Sequence, residues 1–345
     1  MPSTNITSDQ HSNHKKKHLK FLIIRFSSIG DIVLTTPVVR CLKQQVDCVI
    51  HYVTKKEYAG IVKTNPHIDK VIEYDGDWDM LMRELKSNRY DYIIDLHHNA
   101  RTLRLKRMLN IPSFSFNKLN INKWLLTALK INTMPNVHIV DRYMETLSKF
   151  NVTNDGNGLD YFIPELDEVK QSDLPSSHLF GYIGLVIGAA HNTKKLPVEK
   201  LKELCSKIHY PIILLGGKED KETGDIIAAV DKGNVYNACG KFNLNESADI
   251  VRKAKLIITH DTGLMHIAAA FKKPIISIWG NTIPSFGMAA YYGNIQMPNA
   301  TFEVGNLKCR PCSKIGHNSC PKRHFNCMNQ QNIDAIVNSV NALLK

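Results

Sequence analysis

Apolar residues along this chain gather into short continuous runs, separated by longer stretches in which apolar positions recur every three or four residues. In the first half the runs are Phe21–Phe26, Cys48–Val53, Lys70–Tyr74 and Tyr92–Leu96. Runs this short and without alternation predict strands covered on both faces. The stretches near Asp31–Gln44, Lys55–Val62, Trp78–Ser87 and Ala100–Leu109 carry helical spacing. The pattern restarts in the second half. Strands are predicted at Gly181–Ile187, Ile212–Leu215, Leu256–Thr259 and Ile275–Trp279, and helices near Val198–Lys207, Asp220–Val230, Glu246–Lys253 and Leu264–Phe271. Strand–helix alternation of this kind predicts parallel sheets flanked by helices. Asn151–Ser177, rich in Asp, Asn, Gly and Pro, has the composition of a linker. The predicted organisation is a polar, disordered basic tail over 1–18, α/β domains over 19–165 and 166–330, and a closing helix in 331–345, near Asn332–Leu344. Two doubly wound domains facing one another leave a cleft at the carboxyl ends of their strands, where ligands of such sheets bind.

A chain of 345 residues has room for two such cores, and 43% hydrophobic with 22% charged residues describes a globular protein rather than a disordered one. No apolar run reaches the roughly 20 residues of a membrane helix. The apolar segment after the lysines at 15–17 and 20 is interrupted by Arg25, too short for a secretory h-region. A cytoplasmic protein is expected. The net charge of +12 is unevenly placed: seven Lys or Arg and no Asp or Glu occur from Arg101 to Lys130. Such a stretch suits an anionic membrane surface or a phosphorylated or carboxylated ligand, or is simply a solvated basic face. Nucleic acid is not expected, since no known binding pattern accompanies the charge.

Three segments carry candidate chemistry. In Arg25-Phe26-Ser27-Ser28-Ile29-Gly30-Asp31 a strand ends in small residues, and a helix begins after the turn that Gly30 eases. A carboxylate at Asp31 can take a proton from an attacking hydroxyl, or can merely cap the helix; both readings are open. In Gly188-Ala189-Ala190-His191-Asn192-Thr193-Lys194-Lys195-Leu196-Pro197 small residues and lysines precede a helix, which suits a diphosphate or an ordinary surface loop. In Asp261-Thr262-Gly263-Leu264-Met265-His266 a strand gives way to a helix whose first N–H groups can receive phosphate oxygens. His266 lies on its first turn, either beside that anion or packed in the core.

Taken together, Ser27–Asp31, Lys194–Pro197 and Asp261–His266 resemble, in order and spacing, glycosyltransferase family 9, the heptosyltransferases of lipopolysaccharide core synthesis. The resemblance implies a GT-B fold of two Rossmann-like domains and inverting transfer from ADP-heptose with no cofactor or metal. The N-terminal domain would bind the acceptor and the C-terminal domain the nucleotide sugar. By position Asp31 would be the general base. Lys194, three residues before the proline, would meet the diphosphate, and Asp261, Thr262, Gly263, Leu264 and His266 would line donor sugar and phosphate. Asp220, in Leu215-Gly216-Gly217-Lys218-Glu219-Asp220, loosely matches an acidic residue near the nucleoside. Leu196 stands where the family usually has tryptophan. Ser28, Gly30, His97, His98 and Arg101 would face an anionic acceptor of the Kdo–lipid A type. Lys118–Lys130, with Trp124, Leu125, Leu126 and Leu129, would touch the inner membrane surface or form a buried helix with basic ends.

Four cysteines, Cys309, Cys312, Cys320 and Cys327, stand at a spacing that can hold structural zinc, with His317 and His324 between them. Similar tails in the resembled family have no metal associated with them, and four free thiols are the other reading. Two further functions compete with heptosyl transfer. One is a GT-B transferase for another nucleotide sugar in surface-glycan assembly, separable by donor competition. The other is a silent nucleotide-sugar or lipid binder, which would have no need of a carboxylate at Asp31.

Overall fold

The computed structural model describes residues 18–344, so all of the predicted tail except His18 lies outside the described residues. Two all-parallel sheets form the frame. The first contains β1 (Leu19–Ile24), β2 (Cys48–Lys55), β3 (Lys70–Tyr74), β4 (Tyr92–Asp95) and β5 (Ser113–Ser115), in the order β3-β2-β1-β4-β5. The second contains β6 (Ile183–Val186), β7 (Ile212–Leu215), β8 (Val235–Asn237), β9 (Leu256–His260), β10 (Ile275–Trp279) and β11 (Asn299–Glu303), in the order β11-β10-β9-β6-β7-β8. Register is fixed by burial: Phe21 pairs with Ile50 on one side and Tyr92 on the other.

The continuous apolar runs are explained by cores on both faces of each sheet. Along β1, Phe21 and Ile23 enter a large central core, while Leu22 and Ile24 enter a smaller outer one with Val53, Ile72 and Leu85. In the second sheet Ile183 and Leu185 face a third core, which also contains Leu201, Leu204, Ile336 and Val340. The central core is shared: it includes Val33 and Val38 of the first domain and Met265, Ile267 and Ala268 of the second. Joining the domains through one core sets the width of the cleft between them.

Chain order reverses at one place in each sheet. After β1 the chain moves outward through β2 and β3, then returns to place β4 on the other side of β1. In the second sheet β6, β7 and β8 run one way, and β9 returns beside β6. Turns leaving β1, β4, β6 and β9 therefore gather at the two switch points, where the sheet leaves a crevice.

Several details depart from the pattern-based expectation. The helix expected over Asp31–Gln44 is two helices, Ile29–Val33 and Thr36–Gln45. Pro37 lies in the first turn of the second, a position that suits a residue with no N–H to donate. Lys56–Ile61 is a 3-10 turn. The linker is firmly held. Buried Arg40 forms a bidentate pair with Asp155 at 2.7 and 2.8 Å, pairs with Asp160, and donates to the Gly158 carbonyl at 2.8 Å. The last helix, Ile333–Leu343, completes the outer core of the second domain alongside Val198–Lys207, where Lys207 pairs with Asp334 at 2.7 Å.

Candidate active site

Arg25 leaves the end of β1 as the only charge in an otherwise apolar segment, and it is almost fully buried. Its guanidinium donates to the Leu96 carbonyl at 2.6 Å, the Ser27 carbonyl at 2.6 Å and the Tyr143 hydroxyl at 3.1 Å. The remaining nitrogen meets Asp31 Oδ1 at 2.8 Å. Asp31 sits in the first turn of Ile29–Val33, where its Oδ2 accepts the Ser28 hydroxyl at 2.8 Å and the Ser28 N–H at 3.4 Å. It therefore caps its helix, as one expectation had it, and keeps 22% of its side chain exposed, so it remains reachable. Burial by itself would raise its pKa. The Arg25 guanidinium and the Ser28 donors outweigh that and hold the carboxyl below the usual range.

Against this turn stands the one that follows β9. A Cβ on Gly30 would lie 2.6 Å from His266 Cδ2 and 3.3 Å from Gly263 Cα, and one on Gly263 would lie 2.7 Å from Ile29 Cγ2. The two domains thus approach to backbone contact at paired glycines, and Asp31 and the Asp261–His266 turn form opposite walls of one site. Thr262 is N-cap of Gly263–Ala270 but forms no side-chain cap; its hydroxyl meets Thr259 Oγ1 at 3.2 Å. The first N–H groups of that helix are left for another acceptor. Lys194 Nζ reaches Asp261 Oδ2 at 2.7 Å, and Thr282 donates to the same oxygen at 2.9 Å. Leu264 packs against the shared core. His266 is buried with Nδ1 unpartnered, and burial lowers its pKa to about 4, so the ring is neutral.

The second lysine of the loop is spoken for. Lys195 Nζ meets Asp220 Oδ1 at 2.7 Å, and Asp220, buried, accepts the Gly217 N–H at 3.0 Å. Leu196 is buried in the outer core, and its N–H donates to His260 Nε2 at 3.0 Å, joining the lysine loop to the end of β9. Lys194 and Asp220 thus sit on one loop system, Lys194 toward the Asp261 turn and Asp220 toward Lys195.

After β4, His97 and His98 follow buried Asp95, which accepts both their N–H groups at 3.1 and 2.7 Å and pairs with Lys106 at 2.8 Å. The His98 ring is held by the Phe116 carbonyl at 2.8 Å. His97 packs edge-on to Phe26 with Nδ1 buried and unpartnered, and burial lowers its pKa to about 4, with Arg25 and Lys118 acting in the same direction. Arg101 stacks over Phe26 and Tyr74. Lys118 and Lys123 also share the field around Asp31: burial lowers both pKa values, that of Lys123 to about 8, and each feels Lys314 from the second domain. Sequence reasoning missed Arg25, Thr282 and Lys314 as parts of this site. Only Arg25 left a signal, as a charge interrupting an apolar run.

Cys309, Cys312, Cys320 and Cys327 line one small pocket with Asn281 and His324, and Cys309 Sγ lies 3.7 Å from His324 Nε2. All eight cysteines are free thiols, and among the described residues no group of three or more His, Cys, Asp or Glu is placed to hold a metal ion.

Comparison with known proteins accords with this geometry. The model of glycosyltransferase family 9 (heptosyltransferase) matches residues 78–318, which include Lys194, Asp220 and the 261–266 turn and begin after Asp31. Lipopolysaccharide heptosyltransferase 1 of Campylobacter coli is 26% identical over 295 residues, covering 78% of this chain and 85% of that protein. A family 9 glycosyltransferase structure from Veillonella parvula superposes with a TM-score of 0.74 at 22% identity, covering 94% of this chain and 97% of its own. The structure of an E. coli heptosyltransferase with ADP-2-deoxy-2-fluoro heptose gives 0.66 at 19% identity, covering 94% and 99%. The two-sheet frame is the GT-B fold.

Proposed function

The chain belongs to glycosyltransferase family 9, and from that premise we propose that it transfers heptose from ADP-heptose to an anionic lipopolysaccharide precursor of the Kdo–lipid A type, with Asp31 as general base. The observation that carries this reading is the contact of Gly30 with Gly263 and His266, which puts a carboxylate and a free helix N-terminus across one narrow cleft.

The acceptor hydroxyl lies against Asp31, and its oxygen attacks the anomeric carbon from the side opposite the diphosphate. As the new C–O bond forms and the bond to the β-phosphate oxygen breaks, the hydroxyl proton passes to Asp31. A carboxylate with a depressed pKa is a weak base, so it receives that proton only as the attacking oxygen loses electron density to carbon. Arg25 and Ser28 keep it ionised and aimed. The departing ADP gathers negative charge, which the N–H groups at Gly263 and Leu264 and the Lys194 ammonium neutralise. Lys194 is already drawn to that place by Asp261, and Thr282 steadies Asp261 when the lysine turns to phosphate. Neutral His266 turns its Cδ2–Nε2 edge toward Gly30 and so lines this wall without adding charge. On the acceptor side, Lys118 and Lys123 form a cationic wall for carboxylate or phosphate, with the neutral ring of His97 beside them.

The test is ADP release from ADP-heptose with Kdo–lipid A, comparing the natural chain with Asp31→Asn. Turnover should fall by roughly 10²- to 10⁴-fold in the variant, the usual contribution of a positioned base. Equal rates would remove Asp31 from that role.

A further inference from the structure

Lys194 stands on a support that its own loop does not supply. Asn192–Lys194 is a single 3-10 turn, closed by the Lys194 N–H to the His191 carbonyl and the Lys195 N–H to the Asn192 carbonyl, both at 3.0 Å. A turn this short does little to fix the root of a flexible four-carbon stem. The support comes from 124 positions further along the chain. The hydroxyl of buried Thr193 accepts the His317 N–H at 2.8 Å. The same hydroxyl and the Thr193 N–H both donate to the His317 carbonyl, at 3.0 and 3.1 Å. Three bonds thus tie one buried threonine to the main chain of one residue.

His317 belongs to residues 304–325, which contain neither helix nor strand and are pinned by side chains instead. Arg310 donates through Nε to the Gly280 carbonyl at 2.6 Å and through Nη2 to the Thr282 carbonyl at 2.9 Å. It also pairs with Glu303, the last residue of β11, at 2.7 Å. Ser313 Oγ accepts the Ile315 and Gly316 N–H groups at 3.1 and 3.0 Å. Gly316 has a φ of +125°, and a Cβ there would lie 2.6 Å from His191 Cβ, so the loop rests directly on the lysine turn. A Cβ on Gly280 would likewise lie 2.7 Å from the Thr193 carbonyl oxygen. One stretch therefore backs Lys194 through Thr193 and Thr282 through Arg310. Lys194 and Thr282 in turn meet at a single oxygen, Asp261 Oδ2, at 2.7 and 2.9 Å.

We propose that Thr193 is a positioning residue for Lys194, with residues 304–325 as the brace it bears on. The ammonium has to leave Asp261 for the donor diphosphate, and it turns from the backbone that Thr193 holds. With that backbone fixed, diphosphate binding orders the lysine stem alone; with it loose, binding must order the turn as well. A clasp that merely fastened a surface loop to the domain would cost stability when cut, with no selective effect on what Lys194 does. The inference rests on the proposed place of Lys194 at the diphosphate, and it adds the part of the chain that keeps the lysine there.

The test is a cycle of four full-length chains, the natural one, Thr193→Val, Lys194→Ala and the double variant, with ADP affinity read by calorimetry. ADP alone is the probe, so no acceptor or sugar transfer enters the result. Thr193→Val should weaken ADP binding about three- to tenfold, the factor that ordering one further flexible unit costs. Thr193→Ser keeps the hydroxyl and should restore the affinity. In the Lys194→Ala background Thr193→Val should have no further effect on ADP, because it acts through the lysine. Should Thr193→Val fail to fold, Gly316→Ala takes its place in the cycle, since its methyl presses on His191 and leaves the Thr193 hydroxyl intact. Equal ADP affinity of the natural chain and Thr193→Val overturns the proposal, and so does an equal loss in both backgrounds. Unchanged ADP affinity of Lys194→Ala is a different failure: it removes the lysine from the diphosphate, and the inference falls with that reading.

Discussion

Adding one methyl group at Gly30 tests the close approach on which the site depends. Gly30 lies in a helix with no backbone need for glycine, so Gly30→Ala would favour that helix by up to about 1 kcal/mol if propensity alone counted. Tertiary packing acts against it. The new carbon would stand 2.6 Å from His266 Cδ2 and 3.3 Å from Gly263 Cα, against a preferred carbon–carbon separation of about 3.5–4.0 Å. His266 is buried and cannot swing aside freely, so the domains must separate by roughly 1 Å or the ring must leave its place. Overpacking of this kind costs about 1–3 kcal/mol, which outweighs the helix gain. A displacement of about 1 Å between reacting groups costs on the order of 10²-fold in rate. Denaturant unfolding and ADP-release kinetics measure the two effects separately. The expected result is a modest stability loss, a large fall in kcat and a smaller change in donor KM. Stability unchanged or raised, with kcat within about twofold of the natural chain, would refute the claim that these glycines set the spacing between base and donor.

Two further outcomes follow from the charges. Ser28→Ala removes a donor from the Asp31 carboxylate and should raise its pKa; activity that needs ionised Asp31 is lost as pH falls through that pKa, so the acid limb of kcat/KM should move to higher pH, and an unmoved limb would show that another group sets it. Arg40→Met strips the linker clamp and should cost about 3 kcal/mol at neutral pH by denaturant titration. Asp155, which Arg40 holds well below the usual carboxylate range, stabilises the fold above its unfolded pKa of about 4 and loses that contribution as pH falls. The gap between variant and natural chain should therefore narrow below about pH 4, and a gap constant with pH would contradict the assignment.

The fold was legible where burial is symmetrical. Ile212–Leu215 and Ile275–Trp279, buried along their whole length, are strands over the residues their patterns predict; the edge strand Lys70–Tyr74 also matches, through Val71, Ile72 and Tyr74, and Trp78–Ser87, Ala100–Leu109 and Val198–Lys207 are helices over theirs. What escaped lies at sheet edges or in polar sequence. Ser113–Ser115, Val235–Asn237 and Asn299–Glu303 are edge strands of three to five residues, and a partner on one side alone leaves little apolar signal. Ile139–Met144 is a helix of one and a half turns that buries Tyr143 under Arg25, too short to show a period.

The site was legible for a different reason. Asp31, His97, Lys194 and Asp261 are spread over more than two hundred residues, yet each leaves a strand that borders a switch point: β1, β4, β6 or β9. A sequence reader can find such turns because each combines the end of an apolar run with small or capping residues. That reader cannot find what reaches the same crevice from elsewhere. Thr282, from the turn after β10, bonds Asp261, and Lys314, from a loop with no regular structure, acts on Lys118 and Lys123 across the cleft. Topology fixes where the strand-end residues meet, because parallel strands must present their carboxyl ends together. Loop residues meet only because the shared core holds the two sheets at one separation, and that separation is the quantity a methyl group at Gly30 would change.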